Sequence, residues 1–201
     1  MFALVESGSI IKMLSGNQGI TIDGIQHPRA IYTLWTEAER NALGIYTVEY
    51  DNSNKKDEKW YINTNQSYAF GSGKVTATYG TAPARAHADT LFTAQDETDG
   101  KGTEGEVATR GLKYNLIQTV KAQAAGELAK TDWYVVRKSE ESTAIPSAIT
   151  THRRLVRSKA AAMETSITNA SDTPALETLY TYTTDSDGVH SRPLGELPTL
   201  E

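Results

Sequence analysis

The apolar residues of this chain change their period near residue 80, and no other feature restricts its possible folds so much. Before that point they come in short alternating runs separated by turn pairs, the period of strands in a sheet. After about residue 106 they recur every three to four positions, the period of helices. The stretch between has neither. Segments of different period do not share one layer of secondary structure, so the reading is an α+β protein in two parts. Expected are a small antiparallel β domain with one short helix over 1–79, an acidic linker or extended loop over 80–106, a helical hairpin with a short third helix over 107–182, and an irregular tail over 183–201.

Within the first part, residues 2–5 and 10–14 are apolar runs joined through Ser7-Gly8, a hairpin signal. Ile20-Thr21-Ile22 and Ile25 flank Asp23-Gly24, a pair that tolerates positive φ. Thr36 with Glu39 three residues on makes a capping box, and Gly44 ends the helix it opens. That helix is about two turns long, with Ala38, Ala42 and Leu43 on its apolar side. Residues 45–50, 60–70 and 75–79 read as further strands, the last two around Gly71-Ser72-Gly73, for about six strands in all. Residues 95–106 then carry five carboxylates against one Lys.

In the second part, Leu112, Leu116, Val120, Ala124 and Leu128 share one face of a helix of about four turns, which Asp132 is expected to end. Trp133-Tyr134-Val135-Val136-Arg137 reads as a short extended segment or a bend. Pro146 suits the first position of a long helix running to about Ala170. Ile149, Val156, Met163 and Ala170 repeat every seven residues there, with Ala160 and Ile167 between them, and Arg153 is the one clear break in this seam. Two such stripes pack most simply as an antiparallel hairpin. Pro174 starts a short helix over 175–182, which Asp172 or Thr173 can cap. The prolines of 192–198 exclude regular structure from the tail.

Composition removes several classes of function. Hydrophobic residues make up 38% of the 201, enough for packed cores. A net charge of −5 gives no general attraction to nucleic acid or an anionic membrane. The absence of cysteine removes disulfides, thiolate catalysis and cysteine-based metal sites. The first residues, Met1-Phe2-Ala3-Leu4-Val5-Glu6, are not a signal peptide, and no window approaches a bilayer span, so a soluble chain made in the cytosol is expected.

No motif passes the checks that enzyme chemistry sets. Gly71-Ser72-Gly73-Lys74 lacks the first glycine of a phosphate loop, where Tyr68 stands, and the following Ser or Thr, where Val75 stands; it reads as a β-turn. Setting Gly100 as the turn glycine of a calcium loop puts the uncharged Gln95 first, and Asp185-Ser186-Asp187-Gly188 is followed by Gly195 where the last Glu should be. Both read as solvated acidic turns. His27, His87, His152 and His190 are scattered, and no Gly-x-Ser-x-Gly occurs. No catalytic residue, cofactor, metal or small-molecule substrate is expected. The basic stretch His152-Arg153-Arg154 with Arg157 and Lys159 reads as a solvated helix face, or as ion pairs to Glu140, Glu141 or the acidic loop. Trp35, Trp60-Tyr61 and Trp133-Tyr134 suit either core anchors or interface hot spots.

The stretch from Leu128-Ala129-Lys130-Thr131-Asp132-Trp133-Tyr134-Val135-Val136-Arg137-Lys138 through Glu140 to Ile145-Pro146, with Arg153 and Arg157 beyond, resembles a C-terminal module of small tail-associated proteins of tailed bacteriophages, tail-fibre assembly proteins among them. The first part is similar to proteins of marine phages through residues 15–24, Tyr61-Ile62-Asn63-Thr64-Asn65 and Ala77-Thr78-Tyr79-Gly80. The resemblance implies a virion tail setting. It implies partners among fibre, tube or baseplate subunits and several symmetry-related copies, with neither nucleic acid nor membrane as partner. It brings no catalytic residue. Beside it stands a physical reading in which Trp133 plugs the gap between two helices. The residues expected to pack or to meet partners are Trp133, Tyr134, Ile149, Arg153, Val156, Arg157, Met163 and Ile167.

Overall fold

A computed structural model describes residues 1–64 and 66–200. Asn65, which falls within the strand expected over 60–70 and ends the Tyr61–Asn65 similarity, lies outside the described residues, as does Glu201 at the end of the tail. The chain divides into two compact units, Met1–Pro83 and Ala84–Glu201, so the break falls inside the segment expected as a linker.

The first unit is built on three two-residue hairpin turns. Strands β1 (Phe2–Glu6) and β2 (Ser9–Leu14) pair antiparallel across Ser7-Gly8, at φ 48° and 78°. Strands β3 (Ile20–Ile22) and β4 (Ile25–His27) pair across Asp23-Gly24, at 50° and 79°. Two successive positive φ values are what a type I′ turn requires, and its twist matches that of the flanking strands. Helices α1 (Ile31–Leu34) and α2 (Glu37–Ala42) follow, one more than expected. The Thr36–Glu39 capping box is present on α2. Gly44 then turns the chain at φ +76°, where an added Cβ would lie 2.5 Å from the Val5 carbonyl oxygen, so only glycine fits.

Strand β5 (Ile45–Asp51) leads to β6 (Gln66–Gly71) and β7 (Lys74–Tyr79), which pair across Ser72-Gly73 at 52° and 75°. The phosphate-loop-like run is thus a hairpin turn. The sheet order is β2-β1-β5-β7-β6, and β5 and β7 are parallel, Val48 facing Val75. The other pairs of this sheet are antiparallel, as expected of the first part. Val75 and Ala77 are buried, whereas β6 alternates half-buried with exposed, so β7 lies inside the sheet between β5 and β6, and β6 takes the edge. Trp60 and Tyr61 are buried but do not begin a strand: their amides donate to the Asp57 carbonyl oxygen in a turn.

Each face of the sheet carries its own apolar cluster. Leu4 of β1 joins Leu14, Ile20, Ile31, Tyr32 and Ile45 on one side. Its neighbours Ala3 and Val5 join Val48, Val75 and Ala77 on the other, as the period of two demands.

The second unit starts with a small acidic hairpin where the sequence suggested an irregular linker. Strands β8 (Thr90–Leu91) and β9 (Val107–Thr109) pair antiparallel around helix α3 (Ala94–Thr98). Thr93 and Asp96 form its capping box, with Asp in the place usually held by Glu or Gln. Helix α4 (Leu112–Ala129) carries Leu116, Val120 and Ala124 on its buried face. Helices α5 (Asp132–Glu141), α6 (Ser147–Asn169) and α7 (Thr173–Tyr180) complete the unit with a hairpin of two short strands, β10 (Thr183–Thr184) and β11 (His190–Ser191), inside the span expected to be irregular. The tail beyond is irregular, and Leu194 is buried with its amide donating to Leu179 O (3.0 Å).

Helices α4 and α6 run antiparallel: Lys113 Nζ reaches Thr168 O (2.9 Å), Lys121 pairs with Glu164, and Leu128 O meets Arg153. The α6 seam is buried at Ile149, Val156, Ala160, Met163 and Ile167. Asp172 caps α7 through the Ala175 amide (2.8 Å), and Leu176 is fully buried. Truncating Ile167 to Ala is expected to destabilise the chain by about 2–5 kcal/mol in a urea melt followed by circular dichroism. The exposed Leu155→Ala on the same helix should change stability by less than about 0.5 kcal/mol.

Candidate interaction surface

The last carbonyls of an α-helix have no partner within the helix. At the end of α4 the chain enters α5 within three residues, leaving little loop to supply donors. Arg153, from the opposite helix, supplies them. Its Nη1 donates to Leu128 O (2.8 Å) and to Thr131 Oγ1 (2.7 Å), and it pairs with Asp132 Oδ1 (2.8 Å). Thr131 is fully buried, and its own hydroxyl donates to Leu128 O (3.0 Å). The guanidinium sits favourably against the C-terminal dipole of α4, and Asp132 against the N-terminal dipole of α5.

These contacts correct three expectations. Arg153 breaks the apolar seam in sequence but is buried, and it fastens two helices instead of lying on a solvated face or reaching Glu140 or Glu141. Asp132 opens α5, while Thr131 closes α4. Residues 133–137 are helical: β-branched Val135 and Val136 favour an extended strand only weakly, and the anchored N-terminus overrides them. Ser142 ends α5 in the left-handed region, at φ 58°.

No residue of α5 is buried. Trp133 is 51% exposed, Val136 52% and Val135 42%. Trp133 therefore does not plug the gap between helices; Thr131 and Arg153 fill that place. The Trp133 and Tyr134 rings lie with centroids 3.9 Å apart, and the Arg137 guanidinium stands 4.7 Å from the first and 5.4 Å from the second. This cation–π grouping holds the rings as one rigid outward plate. Beside it a recess of about 250 Å³ is lined by Val135, Ile145, Thr150, Arg153 and Arg157.

Of the eight residues expected to pack or meet partners, Ile149, Val156, Met163 and Ile167 are interior, and Arg153 is a buried fastener. Trp133, Tyr134 and Arg157 remain at the surface. Val135 and Val136 were missed. Four bulky apolar residues in succession, 133–136, turn through most of a circle on a helix, so some must face outward once that segment is helical.

The acidic side chains serve the backbone around them. Asp96 accepts from the Thr93 amide (3.0 Å) and pairs with Lys101. The Thr93 amide and hydroxyl, then Lys101, hold the Asp96 carboxyl down to about 2, so this cap stays charged at neutral pH. Gln95 Nε2 donates to Asp99 (2.8 Å), and Asp185 accepts from the Asp187 and Val189 amides. Asp89 is lowered by the Gly111 amide and Arg110. His152 is buried, and His190 bonds Thr184. Among the described residues no three His, Asp or Glu converge on a metal position, and no helix is long and apolar enough to cross a membrane. In the first unit a recess of about 350 Å³ between β2 and β3 is lined by residues 12–21 with Leu4 and Tyr32, and its lining carries no carboxylate or histidine.

No family model matches the chain, and neither does any curated protein or solved structure.

Replacing Arg153 by Ala is expected to cost about 2–3 kcal/mol, from lost charge-assisted hydrogen bonds to buried acceptors, and to abolish hydrogen-exchange protection in α5. Arg153→Lys should restore part of it, because all three acceptors gather on the single nitrogen Nη1 and an ammonium carries three donors. Trp133→Ala, by contrast, should leave the melting curve within about 1 kcal/mol of wild type, because the ring is half exposed.

Proposed function

We propose that this chain is a non-enzymatic structural protein of a bacteriophage tail, an adaptor or fibre-associated component that acts through protein–protein contacts in the virion. The observation that carries this reading is α5, a helix with four consecutive bulky apolar residues of which none is buried, locked at its N-terminus by Arg153. A solitary protein gains nothing from such a helix, whereas a partner could bury Trp133 and Val136 together. The rigid ring plate lowers the entropy lost on docking. The resemblance of residues 128–146 to modules of tail-associated proteins supplies the setting.

Mass spectrometry of purified particles tests this. The chain is expected at stoichiometric copy number in mature virions. Presence in infected lysate with absence from particles would sink the structural reading and favour a tail-fibre assembly chaperone. In either case Trp133→Ala with Val136→Ala should weaken binding to the tail partner by about 2 kcal/mol or more, read by co-purification.

A further inference from the structure

Charge is separated along the second unit. Residues 128–160, which hold α5 and the first half of α6, contain seven basic and three acidic side chains, a net of +4. Residues 84–111, which hold the β8–β9 hairpin, contain three basic and six acidic ones, a net of −3. These segments sit at opposite ends of α4. The hairpin segment binds its N-terminus, where Leu112 N donates to Ala86 O (3.0 Å) and Gly111 N to Asp89 Oδ1 (2.7 Å). Helix α5 follows its C-terminus. The eighteen residues of α4 separate the two ends by about 27 Å, several Debye lengths at physiological salt, so they do not neutralise each other.

Each end also shows apolar surface. On the hairpin, Leu91 and Val107 are direct cross-strand partners, so their side chains share one face, and they are 49% and 36% exposed. Glu104 and Glu106 beside them are exposed and enter no ion pair among the described residues. On the other end, Trp133 and Val136 are exposed, with Lys138 on the same helix and Arg157 across the Val135 recess, both likewise outside any ion pair.

We propose that the second unit docks head to tail on a second copy of this chain, the basic, apolar α5 end of one copy seating the acidic Leu91–Val107 end of the next. This deepens the reading of α5 as a contact surface and rests on it. The occupant is another copy because the two complementary halves belong to one chain. One is an apolar pair with Glu104 and Glu106 beside it in a net acidic stretch. The other is an apolar plate with Lys138 and Arg157 near it, in a stretch that stays net basic although α5 also carries Glu140 and Glu141. The halves differ, so the contact is heterologous and repeats. It closes as a ring, or extends as a filament if the rotation does not close.

Sedimentation velocity of the full chain tests this. At low ionic strength the wild type is expected to sediment as more than one chain, and near 1 M salt, where the Debye length is about 3 Å, as a monomer. Lys138→Glu with Arg157→Glu should weaken association by about a hundredfold, and so should Glu104→Lys with Glu106→Lys. All four positions are exposed, and circular dichroism checks that both variants fold. Mixing the two variants should restore association, because each now carries the end that the other lacks. A monomeric wild type at low salt would overturn the proposal, as would variants that associate like wild type or a mixture that does not recover. If the chain is monomeric yet Trp133→Ala still lowers its incorporation into particles, α5 meets a different protein: the proposed function stands and this inference fails.

Discussion

The junction of α4 and α5 depends on one buried guanidinium. Burying a charge is unfavourable unless its donors are filled, and Arg153 fills them with a backbone carbonyl, a hydroxyl and a carboxylate. All three acceptors gather on its Nη1, at the end of a stem that crosses from α6 to the junction of α4 and α5. The N-terminal end of α5 is thereby fixed by a residue of α6. A helix held in this way need not bury its own side chains to stay in place. That is why Trp133, Val135 and Val136 can stand outward without loosening the fold.

Much of the architecture is legible in the sequence where the signal is local. Ser7-Gly8, Asp23-Gly24 and Ser72-Gly73 specify their turns by backbone sterics alone, and Thr36 with Glu39 or Asp172 with Ala175 needs only four residues. The α6 seam is legible because burial repeats with the helix period. The failures share a cause. Helix α5 hangs on Thr131 and Arg153, twenty-two residues apart, while its own Val135-Val136 argues for a strand. Strand β7 lies inside the sheet and β6 at its edge through relative burial, which no short window contains. Helix α3 hides behind a capping box with Asp at the third position, in a stretch whose charge suggests a solvated loop. The candidate surface was half legible: Trp133 and Tyr134 stand out by size, but whether they point inward depends on the same long-range contact.

Exposed apolar side chains occur in the first unit too, and they do not carry the same weight. Ile11, Ile25 and Leu34 lie on β2, β4 and α1, one to an element, as isolated residues do on most small domains. Leu4 and Val5 explain why the strands can leave such residues outside. The two faces of β1 already feed separate clusters, so the sheet is saturated with apolar contacts on both sides. In α5 the exposed residues are consecutive, and their rings are braced by Arg137.

The placement of ionisable groups points the same way as the placement of apolar ones. The carboxylates of Glu39, Asp89, Asp96, Asp172 and Asp185 each accept from a nearby backbone amide. Such a carboxylate fixes the local backbone, and the amide bonds hold the carboxyls of Glu39, Asp89 and Asp96 below their usual values. Among the charges without such partners are Glu104 and Glu106 at one end of the second unit and Lys138 and Arg157 at the other, each near exposed apolar side chains. Apolar centres with a charged rim are how protein interfaces are built, the rim steering approach and the centre retaining the partner.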